Sequence, residues 1–399
     1  MRVAIDADVV CLQEVAPASF HQDFSFMEDL GYDGVEMFKK GRFRPATFWK
    51  SSRCQLAAEP VHKDRTLLTA FLIPNAKDRA WHVLNCHLQA GKQASRRLRQ
   101  INEGVRAAMT LARKLKGMHS TFLQDVYKSR CYSYCYALDV ILLEPNPESS
   151  LRLIVCGDFN GGPECGAVRY LEDGFVDSDF LEDGEIVTSS KKQMPLSSPL
   201  TDAVCSLERE PPPTLVVPEL ISLMVKEGTV DDPKLSKDLV ERFTRIFERC
   251  ASHTNKKTFE KYMDINDVEK WLIAINGIVG RGSEFREAAR QMGWKEPGKD
   301  DQMEAKSTLP ENGLLSLDGF LTVYEKELRG GKFWGIAHDL AVLGEHLPHV
   351  GIFKGRYDRM YCSAALRPTA VLDTLCEKPC PNDVEPSDHL PIAASFSLS

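Results

Sequence analysis

The stretch LRLIVCGDFNGGPECGAVRYL, residues 151–171, constrains the chain more than any other. Its apolar run at 153–156 reads as a buried strand. The run stops at Gly157 and delivers Asp158 and Asn160 two positions apart, a spacing that points both to one face of an extended chain and Phe159 to the other. Gly161, Gly162 and Pro163 then turn the chain at once, and a short helix follows at 167–171. A carboxylate and an amide surfacing where a buried strand ends fit an Asx-type turn and a polar site equally well. The rest of the chain has to decide.

Other strand ends carry similar groups. Residues 9–15 read as a strand with Glu14 near its end. Residues 81–88 alternate, with Val83, Asn85 and His87 on one face and Leu84, Cys86 and Leu88 on the other. Further strands are expected at 43–49, 66–73, 357–363, 369–373 and 389–398. Asp358 opens one of them, and the pair Asp388-His389 opens the last. Carboxylates at strand ends suit a hard cation such as Mg²⁺ or Mn²⁺, which prefers oxygen ligands. A paired Asp and His suits phosphate-ester chemistry: the cation neutralises the phosphate, a carboxylate prepares a water, and the His stabilises charge on the phosphoryl oxygens.

A helical pattern covers 93–115, with Leu98, Ile101, Val105, Ala108, Met109, Ala112 and Leu115 at three- and four-residue spacing. Arg96, Arg97, Arg99 and Arg106 lie outside that stripe. They read either as a solvated face or as a basic rim for a polyphosphate or nucleic-acid backbone. Arg97 and Arg99, with Asn85 beside His87, are the candidate substrate contacts. The net charge of −7 argues against a long nucleic-acid footprint.

Composition separates the chain into parts. The run EPPPT at 210–214 reads as an extended linker, followed by amphipathic helices at 235–250, 266–276, 283–292 and 317–328. The expected organisation is a strand-rich domain at 1–204 and 345–399, split by an all-helical insert at 205–344. No apolar run is long enough to span a bilayer, and the N-terminus lacks the order of a signal peptide. The twelve cysteines are scattered and read as reduced thiols of a cytoplasmic or nuclear protein. The pairs Cys131/Cys135 and Cys376/Cys380 lack matching histidines, so no zinc site is expected.

Five blocks now stand in order: ADVVCLQEV (7–15), LNCHLQAG (84–91), VCGDFNGGP (155–163), GRYDRMYCSAAL (355–366) and EPSDHLPIAASFSL (385–398). Together they resemble the endonuclease/exonuclease/phosphatase superfamily, in particular its branch of nocturnin and carbon catabolite repression deadenylases. The resemblance implies an α/β fold, a four-layer sandwich of two packed sheets flanked by helices. It implies Glu14 as main Mg²⁺ ligand with Asp388 assisting. Asp158 would orient or deprotonate the attacking water, and Asn160 would hold a phosphate oxygen. His389 would stabilise the pentacovalent phosphate, Asp358 would orient His389, and His87 would contact the scissile phosphate. The implied activity is Mg²⁺-dependent phosphodiester hydrolysis, foremost a 3′-exoribonuclease, with a phosphatase on a nucleotide or small metabolite as the alternative. A third reading, from a different class, is a catalytically weak regulatory protein that contacts a protein partner through the helical insert.

Three departures qualify the resemblance. The family's first strand, with an Asn that joins the metal shell, has no counterpart ahead of Glu14, so that strand is expected to be missing. The deadenylases follow their His with a Trp and a Pro that help hold adenine, and nocturnin places basic residues there; this chain has Leu88, Gln89, Ala90 and Gly91. Lastly, the insert resembles the paired EF-hands of plant calcium-binding members. Its first loop, between Phe247 and Trp271, would have Ile265 at its centre and Glu269 as closing Ca²⁺ ligand. The second, between Met303 and Leu328, has Gly319 where a closing Glu belongs. The expectation is an EF-hand-like fold with little Ca²⁺ binding.

Overall fold

The apolar run at 153–156 is the middle of a strand, β8 (Arg152–Asp158), inside a seven-stranded sheet, the largest among the described residues. The structure, a computed structural model, describes residues 6–37, 44–74, 76–128, 150–187, 193–229, 232–279, 282–294, 309–348, 351–373, 378–381 and 387–399. Cys131, Cys135 and Cys376, and the apolar stretch at 131–143, lie outside the described residues. The chain forms two compact units, residues 1–217 with 353–399, and residues 218–352.

In the first unit β8 runs parallel to β7 (Ala76–His87) and antiparallel to the strand Asp358–Cys362. The sheet continues past β7 through β6 (Thr66–Ile73) to β4 (Gln55–Leu56), with β5 (Val61–Lys63) also paired to β6. A parallel neighbour needs a crossover, and the helix α3 (Ala94–Lys128) supplies it, running well past the expected 115. Its stripe of Leu98, Ile101, Val105 and Ala108 is fully buried in one cluster with Leu84, Cys86 and Leu88 of β7 and its end. Gly104 lets the helix approach so closely, because a Cβ there would stand 2.9 Å from Leu84 Cδ2. Helix α4 (Gly166–Glu172) lies in the same cluster through Ala167, Val168, Tyr170 and Leu171.

The second sheet has the order β1 (Val9–Val15), β3 (Arg44–Trp49), β2 (Gly34–Met37). Side chains alternate across it as strand geometry requires. Val10 and Leu12 join Phe20 of α1 (Phe20–Phe24) and Met27 of α2 (Phe26–Asp29), whereas Val9 and Cys11 join Trp49, Phe71, Val83 and Cys156 between the sheets. Helices, sheet, sheet and helices make the four α/β layers.

The proline-rich run at 210–214 is part of the first unit rather than a free linker. Thr214, 1 % exposed, donates its N–H to the Gly355 carbonyl at 2.9 Å and accepts the Leu390 N–H at 2.7 Å. The helical unit therefore begins at 218, not 205, and extends to 352.

Within the helical unit the helices Lys237–Cys250, Ile265–Asn276, Ser283–Gln291 and Leu317–Arg329 stand where periodicity puts them. Phe243, Phe247, Trp271, Phe320 and Tyr324 fill their core. Two further helices, Ile221–Met224 and Phe333–Val342, were not anticipated. Met263 and Leu315 exchange both backbone hydrogen bonds, at 3.0 and 2.9 Å, and so join the two inter-helix loops at their centres. The first loop is thus centred on Met263, two residues before the expected Ile265. Four residues on from Met263 stands Asp267, in the first turn of the helix, with Glu269 two residues further along it. Asp267 is already used: its carboxylate accepts from Ser252 N at 2.9 Å and Ser252 Oγ at 2.6 Å, and it completes a capping box with Asp264.

Candidate active site

Register brings the strand-end groups together. On β7 and β8 His87 pairs with Asp158, and Asp158 pairs across its other edge with Asp358. Three adjacent strands therefore carry His87, Asp158 and Asp358 at one level. Gly157 makes this approach feasible: its φ is +128°, and a Cβ would sit 2.0 Å from the Cys86 carbonyl oxygen.

Glu14 arrives from the other sheet by a β-bulge. Leu12 pairs with Ala46 and Val15 with Arg44, so Gln13 and Glu14 together oppose one residue, Pro45. Glu14 adopts φ 55°, a left-handed conformation that is rare for a non-glycine residue. Bulges re-aim side chains, and here the carboxylate Oε1 reaches 3.5 Å from His87 Nε2. Asn160 is the other strained site residue, at φ 48°; its N–H and Nδ2 donate to Asp158 Oδ1 and Oδ2 at 2.7 and 2.5 Å. His389 Nδ1 lies 2.6 Å from Asp358 Oδ2.

These positions set the charges. Burial, then the neighbouring Asp358 carboxylate, pushes Asp158 up to about 7. Burial acts against a charged His389, but the hydrogen bond and charge of Asp358 outweigh it and raise the ring to about 9. His389 is therefore a cation at neutral pH, and its Nε2–H remains for another acceptor. His87 goes the other way: burial, then the cations Arg65 and His389, lower it to about 4. Its contacts of 3.5 Å to Glu14 and 3.7 Å to Asp158 are those of a neutral imidazole, not salt bridges. Glu14 is raised by partial desolvation and then by Asp388, although its side chain is still 67 % exposed at the cleft mouth.

Four expected substrate-handling groups have other work. Asn85 is 0 % exposed; its amide donates to the Ala46 carbonyl at 2.9 Å and the Leu12 carbonyl at 3.2 Å, and its oxygen accepts from Gln13 at 2.9 Å. It bolts the two sheets together at the Glu14 bulge. Arg97 is buried, donating to the Gln89 and Gly91 carbonyls and to Glu182, so it holds the loop after His87 rather than a basic rim. Arg99 pairs with Asp64 at 3.3 Å. Asn160 commits both amide hydrogens, to Asp158 and to the Leu88 carbonyl at 3.0 Å, which positions the carboxylate.

Thr214 was overlooked by sequence reasoning. Its Oγ1 accepts the N–H groups of Tyr357 at 3.1 Å and Asp358 at 2.9 Å, and the next residue, Leu215, bridges His389. One threonine strap thus ties Asp358 to His389. A hydroxyl following three prolines carries no local signal of that role.

The family model described as "Endonuclease/Exonuclease/phosphatase family" matches residues 2–389. The chain belongs to the endonuclease/exonuclease/phosphatase family. Comparison with curated protein sequences gives no match. Among solved structures, ANGEL2, a 2′,3′-cyclic phosphatase, is 22 % identical over 48 % of this chain and 51 % of that one, with a TM-score of 0.31. Its complex with adenosine-2′,3′-vanadate is 16 % identical over 98 % and 82 %, with a TM-score of 0.42. The human Nocturnin catalytic domain with bound sulfate is 19 % identical over 41 % and 55 %, with a TM-score of 0.28. D. rerio TDP2 with a single-strand DNA product is 11 % identical over 98 % and 86 %, with a TM-score of 0.37. The chain thus spans about half the length of the first ANGEL2 chain.

The family's divalent-metal dependence can be tested on the donor set. Asp158, Asp358 and His389 offer atoms within 4.8 Å of one another. The His389–Asp358 pair is satisfied internally, and a protonated ring cannot ligate. The open oxygen donors are Glu14 and Asp388, and the Asp388 charge helps raise Glu14 after burial. Burial and then the charge of Asp358 push Asp158 up to about 7, and a hard cation beside these carboxylates relieves the part that is repulsion.

Proposed function

We propose that this protein is a divalent-metal-dependent phosphodiesterase whose foremost substrate is the 3′ end of RNA. The observation that carries the reading is the alignment of His87, Asp158 and Asp358 on adjacent strands, with His389 bonded to Asp358. Mg²⁺ or Mn²⁺ held by Glu14 and Asp388 would supply Lewis-acid neutralisation of a phosphate oxygen. Asp158, oriented by both Asn160 donors, takes the proton of the attacking water. His389, kept cationic by Asp358, donates from Nε2 to a phosphoryl oxygen as charge builds there. His87 offers a neutral N–H toward the same group.

One observation favours a second reading, a phosphatase on a nucleotide or small metabolite. Arg97 is internal and Arg96 and Arg99 are both drawn to Asp64, which leaves little of the basic rim along α3 for a long backbone.

The test is a substrate panel of oligo(A), mixed RNA, single-stranded DNA, dinucleotides and inositol phosphates, with Mg²⁺ and with EDTA. Hydrolysis should need the metal and fall by ~10²–10⁴-fold in Asp158→Asn. Turnover unchanged by that substitution would sink the assignment. Cleavage of small phosphomonoesters alone would favour the second reading.

A further inference from the structure

The cleft has a cation that the helix arginines do not supply. Arg65 precedes β6, and its carbonyl accepts the His87 N–H at 3.0 Å, so its backbone stands beside the site histidine. Arg44 opens β3 opposite Val15, one residue past the Glu14 bulge. The two arginines approach the site from the two sheets. The nearest acid in sequence, Asp64, is taken by Arg96, Arg99 and Gln100, at 3.5, 3.3 and 2.9 Å. The Arg65 guanidinium has no hydrogen-bond or ion-pair partner among the described residues. It is only partly exposed, and burial, then the like charges of Arg44 and Arg96, lower its pKa from the usual arginine value by more than the carboxylates of Asp64 and Glu14 raise it. A half-dehydrated guanidinium beside other cations and without a partner is costly, and an anion from outside relieves that cost.

The position also says which anion. Arg65 is felt at Glu14 and His87, whereas the charges acting most on Asp158 and His389 are Asp358 and each other. The scissile phosphate sits among Asp158, His389, His87 and the carboxylates of Glu14 and Asp388, and Arg65 stands at the Glu14 and His87 edge of that group. We propose that Arg65, flanked by Arg44, is a subsite for a second phosphate of the substrate, next to the scissile ester. The preferred substrates are then nucleotides or RNA ends that carry a phosphate adjacent to the bond being cut. A planar guanidinium suits that group because its fork matches two phosphate oxygens at once. This deepens the phosphodiesterase reading and rests on it.

Binding and turnover test it separately. Calorimetric titration in Mg²⁺, on the Asp158→Asn background, compares adenosine 3′,5′-bisphosphate with adenosine 5′-monophosphate. The bisphosphate should bind about tenfold tighter or more, as expected of charge-assisted hydrogen bonds. Arg65→Ala should erase the preference, and Arg65→Lys should keep part of it. Arg65→Gln retains bulk while losing charge, and gives the same readout if the alanine variant does not fold. Equal affinities for the two ligands, or a preference that survives the loss of Arg65, overturns the subsite. In turnover, kcat/KM for ApAp should exceed that for ApA, with the difference residing in KM and lost in Arg65→Gln. A protein that binds with the Arg65-dependent preference yet hydrolyses nothing supports the subsite and overturns the phosphodiesterase reading. Hydrolysis without the preference does the reverse.

Discussion

Asp358→Asn separates charge from orientation at His389, the histidine proposed to stabilise the phosphoryl group. The Asp358 carboxylate lies 2.6 Å from His389 Nδ1 and holds the ring at about 9 against a burial that pulls the other way. Relative to an ordinary histidine near 6.5, that rise favours the cation by at most about 3.5 kcal/mol. Asparagine keeps an oxygen to accept the ring N–H but removes the charge, so the pKa should fall to about 6.5 or below. At pH 8 the protonated fraction then drops from ~90 % to ~3 %, a thirtyfold loss. At pH 6 the two proteins differ by less than about twofold in that fraction. The substitution also removes the largest charge raising Asp158, which keeps the base ionised at the lower pH.

The expected result is a defect in kcat/KM of roughly thirtyfold at pH 8 that shrinks to a few-fold at pH 6. Titration of isotope-labelled histidine by NMR should find His389 near 9 in the parent and below about 7 in the variant. Stability follows the same sign. A raised histidine pKa contributes stability that is complete below the unfolded value of ~6.5 and is lost as pH rises through about 9. The stability gap between parent and variant should therefore narrow over that window. A kinetic defect of equal size at pH 6 and pH 8 would refute the charge argument and leave orientation as the role of Asp358.

Two further expectations concern groups away from the reacting atoms. Thr214→Val keeps shape but strips the acceptor from two buried N–H groups, so urea unfolding should report a loss of about 2–4 kcal/mol, with kcat falling alongside; an unchanged midpoint would mean the strap is not what ties Asp358 to His389. Calorimetric titration of the whole chain with Ca²⁺ should give no micromolar binding, and Asp267→Ala should cost about 1 kcal/mol of stability through its lost cap; a micromolar isotherm abolished by Asp267→Ala would overturn this account of the loop.

What could be read from the sequence divides along a physical line. Strand and helix positions follow local periodicity, and most helices of the second unit and the strands β6 and β8 fall where that pattern puts them. Phe333–Val342 has little local signal: Gly335 and the polar pair His338-Asp339 break its apolar run, and no side-chain cap marks its start. The strand-end groups Glu14, His87, Asp158, Asp358 and His389 could be listed because their chemistry demands particular residue types.

Their supports could not be listed, because support depends on register and on what covers a surface. Arg97 lies off the apolar stripe of α3, yet Glu182, from a hairpin 85 residues away, covers it. Asn85 shares a face with His87 as the alternation says, but only sheet packing turns that face toward Leu12 and Ala46. The Glu14 bulge exists because two residues of one strand meet one of another, a mismatch that neither strand contains alone. Met263 takes the loop centre from Ile265 because its partner is Leu315 in a different loop. A backbone N–H can hold a site carboxylate as well as a rarer side chain can, as the Asn160 N–H holds Asp158, and such donors occur at nearly every position. The reacting groups are therefore conspicuous in the chain, while the groups that aim them emerge only once the strands are paired.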